Sequence, residues 1–108
     1  MNVEELREYV LQKANVTEGF PFGEDTLVFK VNAKIFLLIS LESSPLQFNV
    51  KCDPARAIEL REEYPEAVLP GYHMNKKHWN TIIVDGTLSK KQLMEMLDNS
   101  YKLTGKIK

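Results

Sequence analysis

Apolar positions along this chain follow a helical period at both ends and a period of two in between. Val3, Leu6, Val10 and Ala14 recur three or four residues apart, which predicts an amphipathic helix over 3–14. Asn2 is placed to cap its first amides, with Glu5 reaching back. The segment GFPFGED (19–25) interrupts every period and reads as a loop pinned by Phe20 and Phe22 as apolar anchors. Leu27, Phe29 and Val31 then alternate with Val28, Lys30 and Asn32, the pattern of a strand. Asn32-Ala33 is the expected turn, because Asn tolerates positive φ; Ala33 suits that geometry less well than glycine. KIFLLISL (34–41) is a strongly apolar second strand, SSP (43–45) a turn, and LQFNVK (46–51) a third strand with Leu46, Phe48 and Val50 inward. Short connections between sequential strands point to an antiparallel meander.

Asp53-Pro54 marks a helix start, a capping carboxylate followed by proline where no N–H is needed. That helix stops near Tyr64, since Pro65 disfavours helix in the residue before it. Leu69-Pro70-Gly71 reads as a second break. The stretch GYHMNKKHWNTIIVDG (71–86) then predicts strands at 71–74 and 79–84 around a polar tip, Asn75 to His78. Ser89 and Gln92 form a capping box, with Leu88 against Leu93 as a hydrophobic staple. Leu93, Leu97, Ser100, Tyr101 and Thr104 continue a last helix along one face. The predicted order is α-β-β-β-α-β-β-α: an α+β fold with a single antiparallel sheet of about five strands and helices packed on one face. The whole of 1–108 reads as one domain.

Composition narrows the function classes. With 44% hydrophobic and 27% charged residues the chain is globular. No apolar run approaches the roughly 18–20 residues of a membrane span. The acidic start MNVEELREYV lacks the apolar stretch of a secretory signal. Cys52 is the single cysteine, so no intrachain disulfide forms and a reducing, cytoplasmic setting is expected. The net charge of −1 conceals an asymmetry. Residues 1–69 carry 7 Lys and Arg against 12 Asp and Glu, whereas residues 70–108 carry 7 lysines against Asp85, Glu95 and Asp98. The basic half is compatible with an anionic partner, although dedicated nucleic-acid binders are often far more basic overall.

The residues give little support to catalysis. GxSxG, GxxxxGK[ST] and GxGxxG patterns are absent. Cys52 paired with His73 or His78 would be a nucleophile, but Cys52 closes an apolar strand beside a helix cap and reads as a buried thiol. His73 and His78 stand five apart, which is not the i, i+4 spacing of a helical metal pair. Glu4, Glu5 and Glu8 are acidic enough to suggest iron, yet the helix dipole alone explains carboxylates in a first turn. A protein without enzymatic activity, metal or cofactor is therefore expected.

PFG (21–23), FKVNAKIF (29–36), KCDP (51–54), LREEYP (60–65), PGYHMNKKHWNTI (70–82), DG (85–86) and SY (100–101) follow one another as in the MmcQ/YjbR family, which this chain resembles over about residues 18 to 104. It departs at Asn32-Ala33, where the family usually has a glycine before the lysine. The resemblance implies a small cytoplasmic α+β domain with a frataxin-like (CyaY-like) fold. It also implies DNA binding through two β-hairpins, the so-called double wing. On that reading Lys30 and Lys34 flank one wing tip, and Lys76, Lys77 and His78 form the other, contacting phosphates. With so few contacts, binding to DNA is expected to be weak and salt-dependent, and the protein to be monomeric with no membrane partner. Against this stands the plainer role of lysines at hairpin tips, solubility and protection of edges. The alternative function is a protein- or small-ligand-binding module using Phe20, Phe22, His73, Asn75 and Trp79. Trp79 itself is expected to be a core anchor beneath the helices, in preference to a stacking platform.

Overall fold

The computed structural model describes residues 1–71 and 74–106. Helices α1 (Val3–Leu11), α2 (Pro54–Glu63) and α3 (Lys90–Gly105) pack on a sheet of strands β1 (Val16–Gly19), β2 (Thr26–Val31), β3 (Lys34–Ser40), β4 (Leu46–Lys51), β5 (Val68–Pro70) and β6 (Trp79–Val84). The sheet is fully antiparallel with order β1-β2-β3-β4-β6-β5. The expected α+β class and meander hold, and among the described residues the sheet has six strands where about five were expected.

Both differences lie at the sheet's edges. β1 is four residues of mixed polarity, VTEG, with no apolar alternation to announce it; pairing with β2 makes it a strand. β5 occupies 68–70, so the Leu69-Pro70-Gly71 break contains the edge strand itself; of the strand expected at 71–74, residues 72 and 73 lie outside the described residues. Proline is tolerated there because an edge strand has one side without ladder bonds. Gly71 follows where the chain runs against β6. A Cβ at this position would lie 2.7 Å from the Trp79 Cβ and 2.9 Å from its carbonyl oxygen.

Local signals set the helix ends. Asn2 Oδ1 accepts from the Glu5 N–H at 2.9 Å, while the Glu5 carboxylate pairs with Lys90 instead of reaching back. α1 ends at Leu11, three residues before the predicted Ala14, and Asn15 takes a left-handed conformation at φ 62°. Asp53 caps α2 with Pro54 at the first helical position, and Ser89 and Gln92 exchange both bonds of the capping box on α3.

One sheet face is covered by all three helices. Leu6 and Val10 of α1, Ala57 and Leu60 of α2, and Leu93, Leu97 and Tyr101 of α3 enclose Leu27, Phe29, Leu37, Ile39, Phe48, Val50 and Ile82 in a single core. A bulge shifts the β2–β3 register between Phe29 and Lys30, so that adjacent Phe36 and Leu37 both enter this core. Ser100 serves the backbone beside the bulge: its hydroxyl donates to the Phe36 carbonyl at 2.6 Å and accepts from the Lys51 N–H at 2.8 Å. Phe36 also meets Tyr101 edge to face, ring centroids 5.6 Å apart. Among the described residues, no helix is long and apolar enough to cross a membrane.

Candidate nucleic-acid interface

The β2–β3 turn places Asn32 and Ala33 at φ 50° and 67°, the paired left-handed residues of a type I′ hairpin. The twist of the flanking strands demands this turn, even with alanine where glycine would be free of strain. The Asn32 N–H donates to the Asn15 carbonyl at 3.2 Å, fastening the turn to the chain that leaves α1. Lys34 is exposed at the turn, and Lys30 is half-buried on the sheet face away from the helices.

The second lysine-bearing segment, 74–78, is a compact turn in the long connection between the antiparallel partners β5 and β6. Asn75 organises it. Its carbonyl accepts from the N–H groups of His78 and Trp79 at 3.1 and 3.0 Å, and its side chain accepts from the Lys77 N–H at 2.9 Å. Asn75 is thus a turn-forming residue, and Lys76 and Lys77 are left exposed by it. The half-buried His78 is held through its backbone, its carbonyl accepting from the Cys52 N–H at 2.7 Å.

Arg61 fixes this turn to the body of the protein. From the last turn of α2 its guanidinium donates to the Lys76 carbonyl, to the Trp79 carbonyl at 3.3 Å, and through Nε to Asn80 Oδ1 at 2.7 Å. Asn80 is fully buried on the helix-facing side of β6 and also donates to the Ala57 carbonyl at 3.5 Å. Neither residue belongs to the site expected from sequence. A signal existed: an asparagine at an inward position of WNTIIV must find a partner, since an unpaired buried amide costs about 1–3 kcal/mol.

Strand register brings the two turns to one end of the sheet. Val31 faces Lys34, Leu37 faces Val50, and Lys51 faces Trp79, so the start of β3, the end of β4 and the start of β6 are neighbours. With only β4 between β3 and β6, the lysine turns stand about 10–15 Å apart at the usual interstrand spacing. Lys51, which the sequence did not single out, lies between them with its ammonium 5.9 Å from the Trp79 ring centroid. Lys30, Lys34, Lys51, Lys76 and Lys77 therefore share one end of the molecule. Asp53 is close by, its carboxylate accepting from the Arg56 N–H.

The remaining candidates separate. Trp79 is buried, at 8% exposure, but not beneath the helices: it packs with Val28, Leu38, Ile35 and Met74 on the opposite sheet face. Alternation along β6 requires this, because Asn80 and Ile82 take the helix side. Phe20 and Phe22 are 50% and 66% exposed, so they do not anchor their loop in the core. Phe20 lines a shallow hollow of about 260 Å³ with Thr17, Val28 and Lys30. His73 lies outside the described residues. The Cys52 thiol is buried and free; desolvation pushes its pKa up, against the pull of Arg56, which disfavours the nucleophilic thiolate. Among the described residues, no three His, Cys, Asp or Glu side chains are placed to hold a metal ion.

Known proteins share this architecture. The YjbR family model matches residues 11–103. The uncharacterised protein YbdF of Escherichia coli O157:H7 is 36% identical over 101 residues, covering 93% of this chain and 81% of that one. The uncharacterised protein YjbR of Escherichia coli K12 is 28% identical over 102 residues, covering 94% and 86%. The crystal structure of protein DR2400 of Deinococcus radiodurans superposes with a TM-score of 0.91 at 40% identity, over 94% of this chain and 77% of that one. A crystal structure from Pseudomonas syringae gives a TM-score of 0.78 at 25% identity, over 96% and 99%. The matched region runs from the end of α1 through the sheet, α2, both lysine turns and most of α3, and the chain belongs to the YjbR family.

Proposed function

We propose that the protein binds nucleic acid without catalysis, contacting backbone phosphates through Lys30, Lys34, Lys51, Lys76 and Lys77. The convergence of two lysine-bearing turns on one end of the sheet supports this reading. Lysine-bearing turns about 10–15 Å apart can follow a phosphate backbone, whereas lysines dispersed for solubility need no such arrangement. The net charge of −1 keeps the affinity low and the association local to this end. About five phosphate contacts give a slope of log K against log salt of about −4.5 on duplex DNA, with little sequence preference.

The test is fluorescence anisotropy of labelled duplex DNA at low and moderate salt. Wild-type protein binds at low salt and releases as salt rises. Lys76→Glu/Lys77→Glu and Lys30→Glu/Lys34→Glu each weaken binding by at least tenfold. No binding at low salt, or binding indifferent to both reversals, removes this reading.

The exposure of Phe20 and Phe22 favours a second reading, a docking loop for a protein or small apolar ligand. Phe20→Ser/Phe22→Ser should then abolish a ligand-induced rise in melting temperature that the lysine reversals leave intact. A thermal-shift screen in which no compound raises the melting temperature counts against it.

A further inference from the structure

We propose that the cleft between α2 and α3 binds a small zwitterionic amphiphile, with the chemistry of a free α-amino acid bearing an apolar side chain. Arg56, Leu60 and Tyr64 recur at four-residue spacing on α2, and Gln92, Met96 and Asn99 recur at helical spacing on α3; all six line the same cleft. The two helix faces thus look at each other across the sheet, with Val50 of β4 and Ile82 of β6 as the floor. They leave a cavity of about 250 Å³. The cleft is half open to solvent, and its volume corresponds to about eight waters' worth of liquid, or a ligand of about 8–12 non-hydrogen atoms.

The helices are antiparallel across the cleft, which gives it two distinct ends. At one, Gln92 Nε2 donates to the Tyr64 hydroxyl at 2.8 Å and closes it. At the other, Ser100 of α3 binds the Lys51 N–H beside Cys52, where α2 begins, so Arg56 and Asn99 are brought to this open end. Leu60 and Met96 form apolar walls between the two ends. An apolar floor with a few convergent polar groups is the usual build of a small-ligand site.

The lining charges select the ligand class. Lys51 also touches the cleft, but its ammonium is over Trp79 on the far face of the sheet. Arg56 is therefore the basic head group available, and its pairing with Glu59 at 3.1 Å is exposed and easily exchanged. A guanidinium lining the same cleft as the Asn99 amide suits a carboxylate. Glu95, on the α3 wall, makes no side-chain hydrogen bond among the described residues and disfavours a simple anion. A molecule carrying a carboxylate and an ammonium on one carbon answers both charges, while its apolar side chain fills the space over Val50 and Ile82.

A titration of ¹⁵N-labelled full chain with L-phenylalanine, followed by amide shifts, tests this. Saturable shifts centred on Cys52, Asn80 and Asn99 are expected, with a Kd of about 0.1–1 mM for a ligand of this size. Phenethylamine and 3-phenylpropionate each lack one charge and should bind at least tenfold more weakly. Arg56→Gln should weaken L-phenylalanine about tenfold and leave phenethylamine unchanged; Glu95→Gln should weaken L-phenylalanine and leave 3-phenylpropionate unchanged or tighter. L-phenylalanine should also slow reaction of Cys52 with an aromatic disulfide reagent. Both variants alter exposed residues, and unchanged melting temperatures establish that they are folded. No saturable shift up to about 10 mM, shifts mapping away from the cleft, or equal binding of all three compounds overturns the proposal. Lys76→Glu/Lys77→Glu should retain amino-acid binding, which separates this outcome from the fate of the nucleic-acid reading.

Discussion

Arg61 on α2 donates through Nε to the buried Oδ1 of Asn80 on β6 at 2.7 Å, and the same guanidinium holds the Lys76 and Trp79 carbonyls. One side chain thus satisfies a buried amide in the core and shapes the turn that presents Lys76 and Lys77.

Arg61→Ala should cost about 1–3 kcal/mol in urea unfolding, because Asn80 loses its charged partner inside the core. Amide exchange at Lys77 and His78 should accelerate more than in the rest of the chain. Unchanged exchange at these amides would show that the turn holds itself through Asn75 alone. In a double-mutant cycle, Asn80→Leu should recover part of the loss, since it removes the orphaned amide.

The contact between α1 and α3 gives a pH signature. Tyr9 donates to Asp98 Oδ1 at 2.6 Å, and Lys13 pairs with the same oxygen at 2.6 Å while lying over the Tyr9 and Tyr101 rings. Burial alone would raise the Asp98 pKa, but the bonds from Lys13 and Tyr9 outweigh it and hold the carboxyl below its ordinary range. Its stabilising contribution is therefore present above the unfolded carboxylate pKa of about 3.9 and is lost as pH falls through the lower folded value. Burial and Asp98 together push Tyr9 up to about 12, so the tyrosine contribution is complete below about pH 10 and fades between pH 10 and 12. Asp98→Asn should lower stability at pH 7 and flatten the acid limb. Parallel acid limbs for wild type and variant would refute the role of this pair.

Ala33→Gly should raise the unfolding free energy by about 0.5–1 kcal/mol. It relieves an L-residue at φ 67°, worth about 1–2 kcal/mol, and gives back part of that in chain entropy. A lower midpoint in thermal unfolding would mean that the alanine methyl makes a contact outweighing the strain.

Gly71→Ala acts in the opposite direction. The new methyl would meet Trp79 at 2.7 Å, on a residue packed against Val28 and Leu38, so the loss should be about 1–3 kcal/mol. The single tryptophan reports it directly. Wild-type emission should be blue-shifted and poorly quenched by acrylamide, and both properties should weaken in the variant. A fully quenchable wild-type tryptophan would contradict the burial of Trp79.

The helix starts were legible because their causes are local: Asn2, Asp53-Pro54 and the Ser89–Gln92 box each act within one turn. The strands β2, β3, β4 and β6 were equally legible, from the alternation in LQFNVK and the dense apolar, β-branched and aromatic runs of the other three. The edge strands β1 and β5 were not, because four and three residues of weak pattern become strands only by pairing with a partner already in place. Of the proposed phosphate contacts, four lysines were readable as residues on turns, whereas Lys51 joined them only through register. Residue pattern alone set the three helices, their N-terminal caps and the strands β2, β3, β4 and β6. Tertiary packing placed Trp79 on the sheet face away from the helices, brought Arg61 to Asn80 and left the cleft between α2 and α3. Such outcomes depend on contacts between residues far apart in the chain, whose closure is set by the packing of the whole core and not by any neighbouring residue.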